Sequence, residues 1–158
     1  MRQEFSEVVP VDTSPEVAWA VVGDITTVLG WISIVGEASC VEPGRRYRAV
    51  LEDRLGPFRL RADLAIDVTE DAAARRIVAR AEGEDRQIGS RLTVDVALDV
   101  TERDGGSAIT VAGAYEVTGR PASLGAGSIR KKASKVLEEF FAQVRQPNGS
   151  APTAVEQA

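Results

Sequence analysis

Few residues in this chain could do chemistry, and the absences are as informative as the residues present. There is no histidine, and Cys40 is the single cysteine. Imidazole-based acid/base work, histidine triads, His-ligated metals and cysteine clusters are therefore out of reach, and no internal disulfide can form. No catalytic residue and no metal site is expected. The groups left that could move a proton in an apolar setting are Tyr47, Tyr115, the carboxylates and the arginines. Glu52 and Asp53 adjoin the inner face of an expected strand, where a carboxylate could come near a ligand, although solvated side chains are the commoner outcome. Cys40 reads as a small strand residue, because no base is placed beside it in sequence.

Charge is unevenly spread. The 158 residues carry 19 Lys and Arg against 24 Asp and Glu, a net charge of −5, which argues against a general nucleic-acid binder. Yet Arg120, Arg130, Lys131, Lys132 and Lys135, including every lysine of the chain, fall in one stretch without a single acid. Such a cluster is either a solvated helix face or a contact for an anionic membrane surface or an acidic partner, where each cation adds about 1 kcal/mol at most. The stretch Met1-Arg2-Gln3-Glu4-Phe5 has no apolar signal region, and no run approaches the roughly 18–20 apolar residues of a membrane span. A cytoplasmic location is expected, with any membrane contact peripheral, at the inner face of the cell membrane.

The elements that must position these groups can be read from periodicity. Residues 4–11 form a short strand. Asp12-Thr13-Ser14-Pro15-Glu16 starts a helix, capped by Thr13 or by Ser14, and Gly23-Asp24 divides it from a second short helix over Ile25 to Trp31. Trp19 is expected to pack between the first helix and the sheet. From Glu37 the period becomes two, and about six strands follow, separated by Glu42-Pro43-Gly44, Leu55-Gly56-Pro57, Glu70-Asp71, Gly83-Glu84-Asp85 and Asp104-Gly105-Gly106-Ser107. The last and longest helix lies between Ala122 and Gln146, where Leu124, Ile129, Ala133, Val136, Leu137, Phe140 and Val144 recur at helical spacing.

Short turns require an antiparallel sheet, and its apolar face needs a cover that only the long helix is large enough to supply. The expected fold class is α+β. A curved antiparallel sheet of about seven strands, with two short helices after the first strand, wraps around a long C-terminal helix in a helix-grip arrangement. One domain spans residues 1–145, and the polar, non-periodic residues 146–158 read as a disordered tail. A curved sheet gripping a helix leaves a gap, which is where small apolar ligands bind. Candidate walls are Trp31, Tyr47, Leu51, Phe58, Leu60, Leu92, Val94, Val111, Tyr115, Leu124 and Ile129. Ala49, Ala62, Ala79, Gly113 and Ala133 would leave space there, against the close packing normal for interiors.

Three stretches carry a resemblance. They are Val11-Asp12-Thr13-Ser14-Pro15-Glu16-Val17-Ala18-Trp19-Ala20, the turn Leu55-Gly56-Pro57-Phe58, and Gly119-Arg120-Pro121-Ala122-Ser123-Leu124-Gly125 with the Phe140-Phe141 pair beyond it. With the order of elements, they resemble the START/Bet v 1-like (SRPBCC) superfamily, and within it the family of the carbon monoxide dehydrogenase G-subunit. The likeness covers roughly residues 3–145. One departure is Trp31-Ile32-Ser33-Ile34-Val35-Gly36, which keeps only the glycine of that family's Pro-Gly turn. The resemblance implies a non-catalytic partner of a molybdenum hydroxylase-type dehydrogenase. Such a protein docks the dehydrogenase to the membrane or takes its electrons through a quinone in the cavity. It implies no covalently bound cofactor, with an isoprenoid quinone or lipid as ligand. The rival on the same fold is a polyketide cyclase/dehydrase-type enzyme, which needs an acid or base facing the cavity.

Overall fold

The computed structural model describes residues 1–55, 58–120 and 126–145, excepting the side chains of Leu55, Phe58 and Ala126. The tail expected beyond residue 145 lies outside these described residues. Strand β1 (Arg2–Val11) turns Phe5, Val9 and Val11 to one face by simple alternation. Helix α1 (Pro15–Val22) starts at Ser14, whose hydroxyl accepts from the Val17 amide at 3.2 Å while Pro15 takes the first helical position. Of the two caps open from sequence, Ser14 is the one used. Gly23 ends α1, and Asp24 caps α2 (Ile25–Gly30) by accepting from the Thr27 amide at 3.3 Å.

Six strands follow: β2 (Val35–Glu42), β3 (Arg46–Leu55), β4 (Phe58–Asp71), β5 (Arg76–Asp85), β6 (Ser90–Arg103) and β7 (Gly106–Gly119); helix α3 (Ala126–Arg145) comes last. The sheet order is β1-β7-β6-β5-β4-β3-β2, with every neighbouring pair antiparallel. The first strand therefore pairs with the last, and α1 and α2 carry the chain from one edge of the sheet to the other. This is the expected helix-grip arrangement. Strand β2 begins two residues before the expected Glu37, because Val35 pairs with Leu51 across a register shift that breaks the alternation. Strand β5 runs on past Glu82, since Gly83 and Asp85 pair with Leu92 and Ser90.

The concave face carries the core. Its most deeply buried side chains are Val9, Ile77, Ile109 and Val111 from the sheet, Val22 from α1 and Val144 near the end of α3. Trp19 is half-buried against the same cluster. The convex face is wet and charged, with cross-strand ion pairs Arg76–Asp99 at 2.7 Å, Arg80–Asp95 at 2.8 Å and Arg61–Glu52 at 3.0 Å. Exposed pairs of this kind contribute about 0–1 kcal/mol each. Their larger effect is on register, since a one-residue slip would turn these charges inward. No helix among the described residues is long and apolar enough to cross a membrane.

Gly113 sets how closely β1, β7 and β6 approach. A Cβ there would strike the Asp95 carbonyl oxygen and stand 2.9 Å from Val96 Cα and 3.0 Å from the ring of Phe5. The Phe5 ring thus lies over a bare backbone. Gly113→Ala is expected to lower unfolding stability by about 1–3 kcal/mol through overpacking, measured by urea denaturation. An unchanged midpoint would show that the strands can spread at this point.

Candidate functional site

The inner rows of the sheet and the facing side of α3 do not meet everywhere. Between them lies a cavity of about 300 Å³. Its floor is Leu51 of β3, Leu64 and Ile66 of β4, Ala79 and Ala81 of β5, Val94 and Val96 of β6, and Val111 and Tyr115 of β7. Its roof is Ile129, Ala133, Val136, Leu137 and Phe140 of α3, and one wall is Ile25, Val28 and Leu29 of α2. The space exists because short side chains are set among the longer ones on both of its sides. Ala79 and Ala81 lie two residues apart on β5, the central strand, and Ala133 lines the same space from the helix. The closing contacts are at the margin: the Trp31 and Phe140 ring centroids are 6.2 Å apart, and Ser33 donates to Glu139 at 2.6 Å.

Of the walls expected from sequence, Leu51, Leu60, Leu92, Val94, Val111, Tyr115 and Ile129 line this cavity. Tyr47 and Trp31 do not. Tyr47 faces inward as its alternation requires, but near the start of β3, where its buried hydroxyl accepts from the Gly44 amide at 2.8 Å and ties down the β2–β3 turn. Trp31 follows the last turn of α2 and packs on Phe140 instead. The Phe58 side chain and Leu124 lie outside the described residues. Of the small residues, Ala79 and Ala133 border the space, whereas Ala49 and Ala62 are buried elsewhere on the inner face. Sequence reasoning missed the α2 wall and most of the β4 and β6 floor, although Ile66 and Val68 continue the alternation of Leu60, and Val96 and Leu98 that of Leu92 and Val94.

The basic cluster is split. Lys131 and Lys135 are exposed on α3, and Arg130 donates to Gln3 Oε1 at 3.0 Å, fastening α3 to β1. Arg120 follows β7, its amide donating to the Gly89 carbonyl at 3.2 Å. Lys132 departs from the expected surface role. It turns under the helix, lines the cavity, and pairs with Asp53, with Nζ 3.0 Å from Oδ2 and donating to Oδ1 at 3.3 Å. Asp53 likewise departs from the solvated position expected for it. It lies near the end of β3, on the inward face, and its side chain is only 19% exposed. Oδ2 is fully buried and receives no hydrogen bond among the described residues, so the ammonium is its sole compensation. Glu52, pointing the other way, reaches Arg61 on the convex face.

Two further polar groups line the cavity. Ser90 is buried at the start of β6. Tyr115 packs with Ile129 and Ala133, the residues flanking Lys132 on the inner side of α3, and its hydroxyl has no hydrogen-bond partner among the described residues. Burial pushes the Tyr115 phenol above the ordinary tyrosine value, with the nearby Arg130 charge opposing this in part. The phenol is therefore neutral at physiological pH, a donor rather than a base. No cluster of His, Cys, Asp and Glu able to hold a metal occurs among the described residues.

A curved sheet closed by one helix over an apolar space with a few polar groups defines a helix-grip domain built around a small-molecule cavity. Residues 2–146 match the model of the family described as polyketide cyclase/dehydrase and lipid transport, and the chain belongs to that family. Solved structures share the fold at low sequence identity. A conserved protein from Geobacillus kaustophilus matches with a TM-score of 0.77 and 16% identity, covering 96% of this chain and 97% of that one. A START superfamily protein from Mycobacterium smegmatis matches at 0.62 and 13% identity, covering 90% and 97%. The Zhui aromatase/cyclase from Streptomyces matches at 0.62 and 11% identity, covering 96% and 98%. No curated protein matches the sequence.

The Tyr115 environment is directly measurable. Because the folded state holds the proton more tightly, stability is unaffected below the ordinary tyrosine value of 10.0 and is lost as pH rises through it toward the folded value. Ultraviolet titration of the phenolate should show one tyrosine ionising late, and Tyr115→Phe should remove that late step. An early step lost instead would mean that the phenol is open to water.

Proposed function

We propose that this protein binds and carries an apolar small molecule, with no residue required to do chemistry. The observation that carries this reading is the apolar cavity under α3 that short side chains leave unfilled. At about 300 Å³ it stands at the lower bound of small-molecule sites, roughly 300–1,000 Å³. Leaving such a space empty forfeits packing on the order of several kcal/mol, a large share of the roughly 5–15 kcal/mol by which domains are stable. An occupant would restore it. The family's description includes lipid transport, which supports the same reading.

Within this reading the occupant is an isoprenoid quinone or a lipid. The sequence likeness to the carbon monoxide dehydrogenase G-subunit supports a place beside a molybdenum-containing dehydrogenase at the cytoplasmic membrane. Lys131 and Lys135, exposed on the first half of α3, are the cations that would meet an anionic lipid surface or an acidic partner. A second reading, a cyclase/dehydrase-type enzyme, is favoured by the unpartnered Tyr115 hydroxyl in the cavity and by the aromatase/cyclase among the structural neighbours. It requires Tyr115→Phe to abolish turnover of a substrate that the wild type converts.

The decisive experiment is organic extraction of natively purified protein followed by mass spectrometry, with Ala79→Trp as the variant that fills the cavity. The expected result is a quinone or lipid released from the wild type and missing from a folded Ala79→Trp protein. A wild type that is empty, and whose melting temperature does not rise with added menaquinone or phospholipid, would overturn the carrier reading.

A further inference from the structure

The cavity lining is apolar except for four polar side chains, which together carry no net charge. Asp53 and Lys132 form one ion pair, and Tyr115 and Ser90 are neutral hydroxyls. The pair is set into the lining rather than on the surface, with its carboxylate largely and its ammonium partly withdrawn from water, the side chains 19% and 35% exposed. Lys132 has three N–H groups and gives one to Asp53 Oδ1. The others are unspent on any described protein group, and so is the Tyr115 hydroxyl.

This arrangement treats two kinds of apolar ligand differently. An ionised fatty acid would bring a second negative charge beside Asp53 in a poorly solvated space, so that one ammonium faces two carboxylates and one negative charge stays uncompensated whichever of them Lys132 holds. A ketone or alcohol brings no charge. Its oxygen accepts from the spare N–H groups of Lys132 while the ion pair stays intact. We infer that the Asp53–Lys132 pair selects apolar molecules ending in a neutral oxygen, a carbonyl or a hydroxyl, and rejects the corresponding free acids. Lys132 donates to the ligand oxygen, and Asp53 is a positioning residue that holds the ammonium and supplies the negative charge that repels an acid. The inference rests on the carrier reading and narrows its ligand class.

The test compares methyl undecyl ketone, lauryl alcohol, lauric acid and dodecane as ligands of the full chain, by calorimetry at about pH 8, where the acid is ionised. The wild type should bind the ketone and the alcohol roughly tenfold or more tightly than laurate. Asp53→Asn, which frees the ammonium, should reverse that order and make laurate the best of the four. Lys132→Met should bring the ketone down toward dodecane, a loss of roughly tenfold or more for a hydrogen bond to a charged group. If either single variant fails to fold, the double variant Asp53→Leu/Lys132→Met, with no charge left unpaired, should bind ketone and alkane alike. A wild type that binds laurate as well as the ketone, or an Asp53→Asn protein with the wild-type order, overturns the inference and leaves the carrier reading standing. A wild type that takes up none of the four overturns both.

Discussion

The organisation of this protein depends on how α3 is held off the concave face of the sheet. Ile129 anchors its beginning against Tyr115 and Val117, and Phe140 and Val144 anchor its end in the main core. Between these anchors the space is lined by Ala79 and Ala81 from the sheet and by Ala133 from the helix, whose short side chains fill little of it. Interiors are normally packed as densely as organic crystals. A gap kept open by firm contacts on both sides is a built feature, and the connection through α1 and α2, from one sheet edge to the other, closes it on a further side.

The same spacing explains why charge can exist inside it. Asp53 and Lys132 are 79 residues apart in sequence and come from the end of β3 and the first turns of α3. Neither would be held so far from water alone, because an isolated charge in an apolar lining costs far more than its packing returns. Together they are neutral, and they lie in the cavity lining. The polar groups and the apolar body thus arise from one geometry, since the helix that roofs the cavity also delivers the ammonium.

How much of this was legible varies with the kind of pattern involved. The two-residue alternation placed Leu51, Leu60, Leu92, Val94 and Val111 on the inner face, and the helical stripe placed Ile129 there, and all of them line the cavity. Alternation names a face and not a position along it. Tyr47 has the correct face and pairs with Ile66 of the floor, but near the start of β3 its hydroxyl is spent on a turn amide. Trp31 shows a similar gap at the cap of α2, where its ring packs on Phe140 without itself lining the space. The basic stretch misled for a different reason. Lys131 and Lys135 stay on the exposed side of α3, and the intervening Lys132 turns under it with the apolar stripe of Ile129 and Ala133.

The sequence by itself determined the order of elements, the antiparallel meander, the faces of the strands and the presence of one amphipathic helix long enough to cover them. These follow from local periodicity, capping and turn chemistry, each confined to a few neighbouring residues. Only the tertiary structure decided that the cover stands clear of mid-sheet, which inner residues border the resulting space, and that Asp53 meets Lys132 there. Those outcomes depend on side-chain lengths summed across a gap between residues distant in the chain, a quantity that no local pattern contains.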